Sequence, residues 1–316
     1  MFNIIALAIC ILIITVLYDR YIQKYQSDPE LDLYHKLQDY LLNKSTLAKK
    51  SIIWIHIPYK YNARDWCSFY SRSSTNLNMP YQYLTIKSII DKHPEYHVCL
   101  IDDDSFNKLI PNWALNVTNV AEPSKDKVRL LAILKLLELY GGMVVPSSFL
   151  CLKSLDPLYQ DTKNSPFIIS NMDKTSDPDG DFLPDPSFIG SQKQDPWIKE
   201  FIQFMEILVS RDYTNASIIR GDINKWCMKQ INLGNVNEIC PTKTGITDIN
   251  RKPIVLDRWF EQANIEISPC AYGIYIPQEE LLSRNNLNWF CYLQPDQIYE
   301  IDNILAKYFA LATKIW

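Results

Sequence analysis

The stretch YGGMVVPSSFLCLKSL, residues 140–155, indicates the fold class of this 316-residue chain. The residues before it, from 126 to 139, carry apolar side chains at helical intervals, and a pair of glycines is a common helix end. The residues after the glycines, MVVPSSFL (143–150), predict a strand. A helix that turns through Gly141 and Gly142 into a strand predicts an α/β domain.

The preceding sequence repeats this alternation. SIIWIHIP (51–58) predicts a buried first strand, YLTIKSIIDKHP (83–94) a helix, and EYHVCLIDDDSF (95–106) a strand that ends in acids. We therefore expect a mostly parallel sheet flanked by helices. Ligands bind such sheets beyond the carboxyl ends of the strands, which here carry Asp102–Asp104 and Pro146–Ser148.

The rest of the chain is less regular. We predict an irregular, Pro/Asp-rich region over 157–200, helices over 197–210 and 223–233, and a strand over 272–277. The segment DPDGD (177–181) has the start of a calcium loop, but its twelfth position is Phe188 where the loop needs Glu, so a polar surface loop is expected.

The N-terminus predicts a membrane anchor. Phe2–Tyr18 is 17 residues long without a charge, and neither a basic start nor a small-residue cleavage site accompanies it. We predict a single-pass anchor over 1–18, a stem over 19–48 and a globular domain over 49–316. The orientation stays open: Arg20 and Lys24 favour a cytoplasmic body, whereas the body carries glycosylation acceptor triplets at Asn43, Asn116 and Asn215.

Composition narrows the function classes. The net charge of −4 and the lack of basic blocks argue against a nucleic-acid partner. Four histidines and scattered cysteines predict no zinc site. We expect no resident metal or other cofactor.

Three phrases together resemble a known family: SIIWIHIPY, CLIDDDSFNKLI and DKVRLLAILKLLELYGGMVVPSSFLCLKSLDPL. They are similar to the glycosyltransferases with a DxD sugar-binding region, of the mannosyltransferase and capsular polysaccharide type. The resemblance implies a GT-A-like nucleotide-diphospho-sugar transferase fold and a membrane anchor. The same phrases are similar to uncharacterised membrane-anchored proteins of large DNA viruses.

The chain departs from this family at the metal site. The two aspartates that the family places after Gly-Gly fall here on Pro146 and Ser148. These aspartates hold a divalent cation that neutralises the donor diphosphate. Proline has no side-chain oxygen and one hydroxyl does not replace two carboxylates, so a metal mechanism cannot use these positions.

The resemblance implies that the donor nucleotide sugar is bound by Asp126 and Arg129, together with Gly141 and Gly142. In the alternative interpretation Asp126 is a residue favoured at a helix start and Arg129 is its partner three residues on. Arg64 and Arg72, in the loop after the first strand, are further candidates, because Arg can balance a diphosphate without a metal. Otherwise these two are surface ion-pair residues.

Asp102 and Asp104 form an Asp-x-Asp at the ligand edge and are the candidate catalytic carboxylates, either as a base or as a relocated metal site. Alternatively, Asp104 caps the next helix and its neighbours lie in water. His56, in an apolar strand, is expected to be a satisfied core histidine.

Two functions follow from these features. The first is a membrane-anchored glycosyltransferase that works without the metal pair. The alternative is an inactive scaffold or binding protein of the glycosyltransferase fold, which the second resemblance associates with a virion or viral membrane. In either case we expect a single-pass protein of a viral membrane or a host endomembrane. The enzyme would be favoured if one open cleft brought together Arg64, Arg72, Arg129 and Asp102. A cleft beside Pro146 that is filled by Trp54 or Phe149 would favour the scaffold.

Overall fold

The structure is a computed structural model that describes residues 36–42, 50–58, 79–121, 124–172, 182–211 and 216–313. The chain divides into two compact units, residues 1–39 and 40–316. Only 36–39 of the first are described, so the following concerns the second. The predicted anchor over 1–18 lies outside the described residues, and within them no helix has the length and apolar character to span a membrane.

The strands of the described chain are β1 Ile52–His56, β2 His97–Ile101, β3 Gly142–Val144, β4 Phe149–Cys151, β5 Phe167–Met172, β6 Phe182–Ser191, β7 Asn237–Ile239 and β8 Gly273–Tyr275. The α-helices are α1 Gln82–Lys92, α2 Ser105–Leu109, α3 Ser124–Tyr140, α4 Asp156–Asp161, α5 Pro196–Val209, α6 Ala216–Asn232, α7 Gln278–Ser283, α8 Pro295–Glu300 and α9 Ile304–Thr313. Short 3₁₀ helices lie at Gln38–Tyr40, Val117–Asn119, Pro241–Lys243, Leu256–Phe260 and Asn288–Tyr292.

Six strands form the main sheet in the order β2-β1-β3-β6-β5-β7. β1 pairs in parallel with β2 and β3, and β5 in parallel with β7, whereas β6 runs antiparallel to both of its neighbours. Five strands therefore share one direction. This confirms the predicted α/β class with a mostly parallel sheet flanked by helices, an arrangement compatible with a Rossmann-like fold.

β1 is the centre of the parallel part because its sequence IIWIH suits burial on both faces. Ile53 and Ile55 face a core that includes Val98, Met143 and Phe188. Trp54 is on the opposite face, where its Nε1 donates to the carbonyl oxygen of Gly141 at 3.0 Å. That bond stabilises the turn from α3 into β3, and the turn itself is the one that the glycine pair predicts.

The prediction of one strand over MVVPSSFL is wrong. β3 ends at Val144 and β4 begins at Phe149, with a turn at Pro146 closed by a hydrogen bond from Phe149 N to Pro146 O of 3.0 Å. β4 leaves the main sheet and pairs antiparallel with β8. Beyond this pair, α7, α8 and α9 pack on Phe290 and Phe309 in a second apolar core.

The prediction of an irregular region over 157–200 is also wrong, since β5 and β6 lie there. Pro184 and Pro186 argue against a central strand, because proline cannot donate to the ladder. β6 tolerates them because β3 pairs only with its last residues, from Ile189 to Ser191. The β5 pairing also shifts register between Ile168 and Ile169, so that 186–188 form a bulge. The predicted surface loop at 177–181 lies outside the described residues.

His93, at the end of α1, is buried in a neutral form. One ring nitrogen, Nδ1, lies 2.7 Å from the carbonyl oxygen of Ile89, and the other, Nε2, accepts from Leu155 N at 2.7 Å. Only an imidazole with its proton on Nδ1 satisfies both partners. Burial lowers the pKa of His93 below 6.5, although the Ile89 hydrogen bond and Asp156 act in the opposite direction.

The free energy of unfolding is therefore expected to decrease as the pH falls below 6.5, because the unfolded chain binds a proton that folded His93 does not. The contribution of this group to the slope approaches about 1.4 kcal/mol per pH unit. Urea unfolding between pH 7 and pH 5 measures it. His93→Gln should flatten the slope, and an unchanged slope would mean that other groups cause it.

Candidate functional site

The three acids after β2 have different environments. Asp102 Oδ1 accepts from Ser105 N at 2.8 Å and from Ser105 Oγ at 2.6 Å, and so caps α2. The alternative in which Asp104 makes this cap is thus wrong, because the side chain of Asp104 makes no cap hydrogen bond and is exposed. Asp103 points inward and is buried.

Asp103 is the centre of a buried ionic group. Arg129 donates hydrogen bonds to its carboxylate from two nitrogens, from Nε to Oδ1 at 3.0 Å and from Nη2 to Oδ2 at 2.7 Å. His56 Nε2 lies 3.0 Å from Oδ1. The side chains of Asp103 and Arg129 are only 2% and 6% exposed. Burial would raise the pKa of Asp103, but its hydrogen bonds to His56 and Arg129 and the nearby positive charge lower it to about 2.

Asp126 continues this group to the surface. Arg129 Nη1 donates to its Oδ1 at 3.1 Å, and the side chain of Asp126 is 68% exposed. The predicted pairing of Asp126 with Arg129 is confirmed. Burial would lower the pKa of Arg129, yet the bonds to Asp103 and Asp126 raise it, so the guanidinium stays charged. Two carboxylates share this one cation, which leaves the group with no surplus positive charge.

The turn after β3, at Pro146–Ser148, makes neutral contacts. Ser147 and Ser148 are buried. Thr85 Oγ1 donates to Ser147 O, and Ser147 Oγ donates weakly to Gln278 Oε1 at 3.4 Å. Among the described residues, no three side chains of the His, Cys, Asp or Glu type come together as a metal-binding group.

A cleft of about 470 Å³ lies at the edge of the sheet where the parallel strands have their carboxyl ends. Its walls come from the start of α3, the adjacent ends of β5 and β6, α6, and the segment from β8 into α7. Its polar lining includes Asp126, Arg129, Asn171, Asp185, Arg220, Tyr275, Gln278 and Glu279. The size is typical of a small-molecule site.

The predicted site residues divide around this cleft. Asp126 and Arg129 line it, whereas Asp102, Asp104, Gly141 and Gly142 do not. The two glycines lie against backbone instead: a Cβ on Gly141 would meet Lys193 N at 2.8 Å, and one on Gly142 would meet Ile52 O at 2.4 Å. Arg64 and Arg72 lie outside the described residues.

Trp54 and Phe149 are buried away from this cleft. Trp54 packs against Tyr140 with 5.5 Å between ring centroids, and Phe149 packs against Phe188 at 5.2 Å. Neither is part of the cleft wall. Pro146 does not line this cleft either, so the test for the scaffold, a filled cleft beside Pro146, stays open. The test for the enzyme is not met among the described residues, because Arg129 lines the cleft and Asp102 does not.

The wall of the cleft formed by Asp185, Asn171 and Tyr275 was not predicted from the sequence. Asp185, Asn171 and Tyr275 come from three strands, two of them in the region predicted to be irregular. The available signal was Asp185 between two prolines, with Ser187 and the apolar run FIG following. Comparison with protein-family models and with curated proteins found no match for this chain.

Proposed function

We propose that the chain is a membrane-anchored protein of GT-A-like fold that binds a nucleotide sugar in this cleft and transfers the sugar without the usual metal pair. The observation that supports this best is the position of Asp126 and Arg129. Family resemblance assigns them to the donor, and they line an open cleft at the carboxyl edge of a mostly parallel sheet.

In this proposal Asp126 accepts hydrogen bonds from hydroxyls of the donor sugar, and Arg129 orients it. Arg129 cannot balance a diphosphate by itself, because Asp103 and Asp126 already neutralise it. The proposal therefore needs Arg64 and Arg72 as the phosphate cations. Because Asp102 and Asp104 do not line the cleft, Asp126 and Asp185 are the better candidates for a base.

The second candidate is an inactive binding or scaffold protein of the same fold. The neutral turn at Pro146–Ser148 favours it, since loss of the metal carboxylates removes a charge-stabilising contribution of several kcal/mol from the transfer step. Both candidates keep a donor-binding cleft. They differ in whether the bound donor is consumed.

Calorimetric titration of the purified full-length chain with UDP-glucose, UDP-N-acetylglucosamine and GDP-mannose, with manganese or with EDTA, tests donor binding. We expect binding of at least one donor in EDTA. Asp126→Ala should weaken it about 10-fold or more through loss of a charge-assisted hydrogen bond. Asp161→Asn, an exposed acid outside the cleft, is the matched control and should have no effect.

Binding only with manganese would mean that other acids hold a metal and would contradict the metal-free mechanism. Absence of binding to every donor would contradict both nucleotide-sugar candidates. Chromatography then detects whether free nucleotide is released from a bound donor. Release distinguishes the transferase from the inactive binding protein.

A further inference from the structure

The wall of the cleft that the adjacent ends of β5 and β6 form is a prearranged polar cluster. Asp185 Oδ2 accepts from Asn171 Nδ2 at 2.8 Å, and Asp185 Oδ1 accepts from Ser187 N at 2.9 Å. Asn171 is at the end of β5, and Ser187 is in the bulge of β6. The bulge thus orients the carboxylate of Asp185, which is half-buried in the wall.

The cluster retains hydrogen-bonding capacity for a ligand. Each carboxylate oxygen has two lone pairs, and each oxygen of Asp185 has one partner in the bonds above, so it can accept from a further hydroxyl. Tyr275 adds a phenol to the same cleft lining as Ser187 and Asn171. Burial and the nearby Asp185 raise the pKa of Tyr275, so its hydroxyl remains protonated and can donate.

Charge indicates which ligand this wall suits. The cleft lining contains four acids, Asp126, Asp185, Glu279 and Glu280, and three cations, Lys127, Arg129 and Arg220. Lys127 Nζ donates to the carbonyl oxygens of Leu208 and Arg211, and Arg129 is held by two carboxylates. Arg220, on α6, also lines the cleft, but the acids outnumber the cations, and the hydrogen bonds of Asp185 given above involve no cation. The Asp185 wall therefore disfavours a phosphate, whereas neutral hydroxyls can donate to its carboxylate.

We propose that Asp185, Asn171, Ser187 and Tyr275 form a subsite for a neutral carbohydrate, which they bind through neighbouring hydroxyl groups. Its role as the acceptor side of the cleft rests on the proposed function. Sugar binding itself requires no nucleotide, so the two proposals can fail separately. The remainder of the cleft, toward Asp126, is left for the donor.

Saturation-transfer NMR and calorimetry on the full-length chain without nucleotide, with maltose, lactose and α-1,2-mannobiose as probes, test the subsite. At least one of them should bind, and the anionic 3′-sialyllactose should bind more weakly than lactose. Asp185→Asn should weaken binding about 10-fold or more, and Tyr275→Phe several-fold. Asp161→Asn is the control acid and Tyr272→Phe the control tyrosine, since neither lines the cleft.

Tyr275→Phe removes only the phenol oxygen and leaves the ring in place. This variant therefore still tests the proposal if Asp185→Asn does not fold. The proposal is overturned if no neutral probe binds the folded chain, if binding survives both cleft variants, or if the sialylated probe binds more tightly than lactose. Donor titration of the same variants reports separately on the proposed function: sugar binding without donor binding supports the subsite and removes its acceptor role.

Discussion

Replacing Asp103 with Ala is expected to lower the free energy of unfolding by about 3–5 kcal/mol, the usual cost of leaving one partner of a buried ion pair alone. Arg129 would lose both hydrogen bonds to the carboxylate while its side chain stays 6% exposed, and His56 would lose the same partner. Asp126 would remain as the only carboxylate described beside Arg129, at the solvent-exposed end.

Urea denaturation of the full-length chain at pH 7 measures this loss. Asp104→Ala is the matched control: the residue is adjacent and exposed, and a change within about 0.5 kcal/mol is expected. A loss below about 1 kcal/mol for Asp103→Ala would show that the ionic group does not hold β1, β2 and α3 together. Because the pKa of Asp103 is lowered from 3.8 to about 2, its contribution should be present above pH 4 and lost as the pH falls toward 2.

Replacing Gly142 with Ala is expected to destabilise the fold by about 4 kcal/mol, from backbone strain and overpacking together. Gly142 has a φ of +111°, which L-residues rarely adopt, and a Cβ there would lie 2.4 Å from the carbonyl oxygen of Ile52. The new methyl group could fit only if β1 and β3 moved apart at the start of their parallel pairing.

Gly221→Ala is the matched control for this substitution. Gly221 lies inside α6, and apart from the adjacent helix backbone no atom lies within 4 Å of the position that a Cβ would take. Alanine should therefore stabilise the chain there by about 0.5–1 kcal/mol. Thermal unfolding of both variants compares the same chemical change at two backbone positions. Equal effects would contradict the close approach of β1 and β3.

The parallel part of the sheet could be predicted from residue types alone. Ile52–His56 and His97–Ile101 are short apolar runs rich in β-branched residues, and α3 shows apolar spacing that ends at two glycines. Such local signals do not depend on distant partners, which explains why these elements lie within a few residues of their predicted bounds. β6 was missed because its prolines are acceptable only at a bulge and beside a short β3, and both conditions depend on other strands.

The sequence by itself determined an α/β chain with acids at a strand end, an Asp126–Arg129 pair on a helix, and no carboxylates at Pro146 and Ser148. Only the tertiary structure decided which acid of Asp102–Asp104 is buried, because three adjacent carboxylates are chemically equal until a turn directs one of them toward Arg129 and His56. It also brought Asp185, Asn171 and Tyr275 into one wall. Asn171 and Tyr275 lie about a hundred residues apart in the chain, and no local pattern encodes such a meeting.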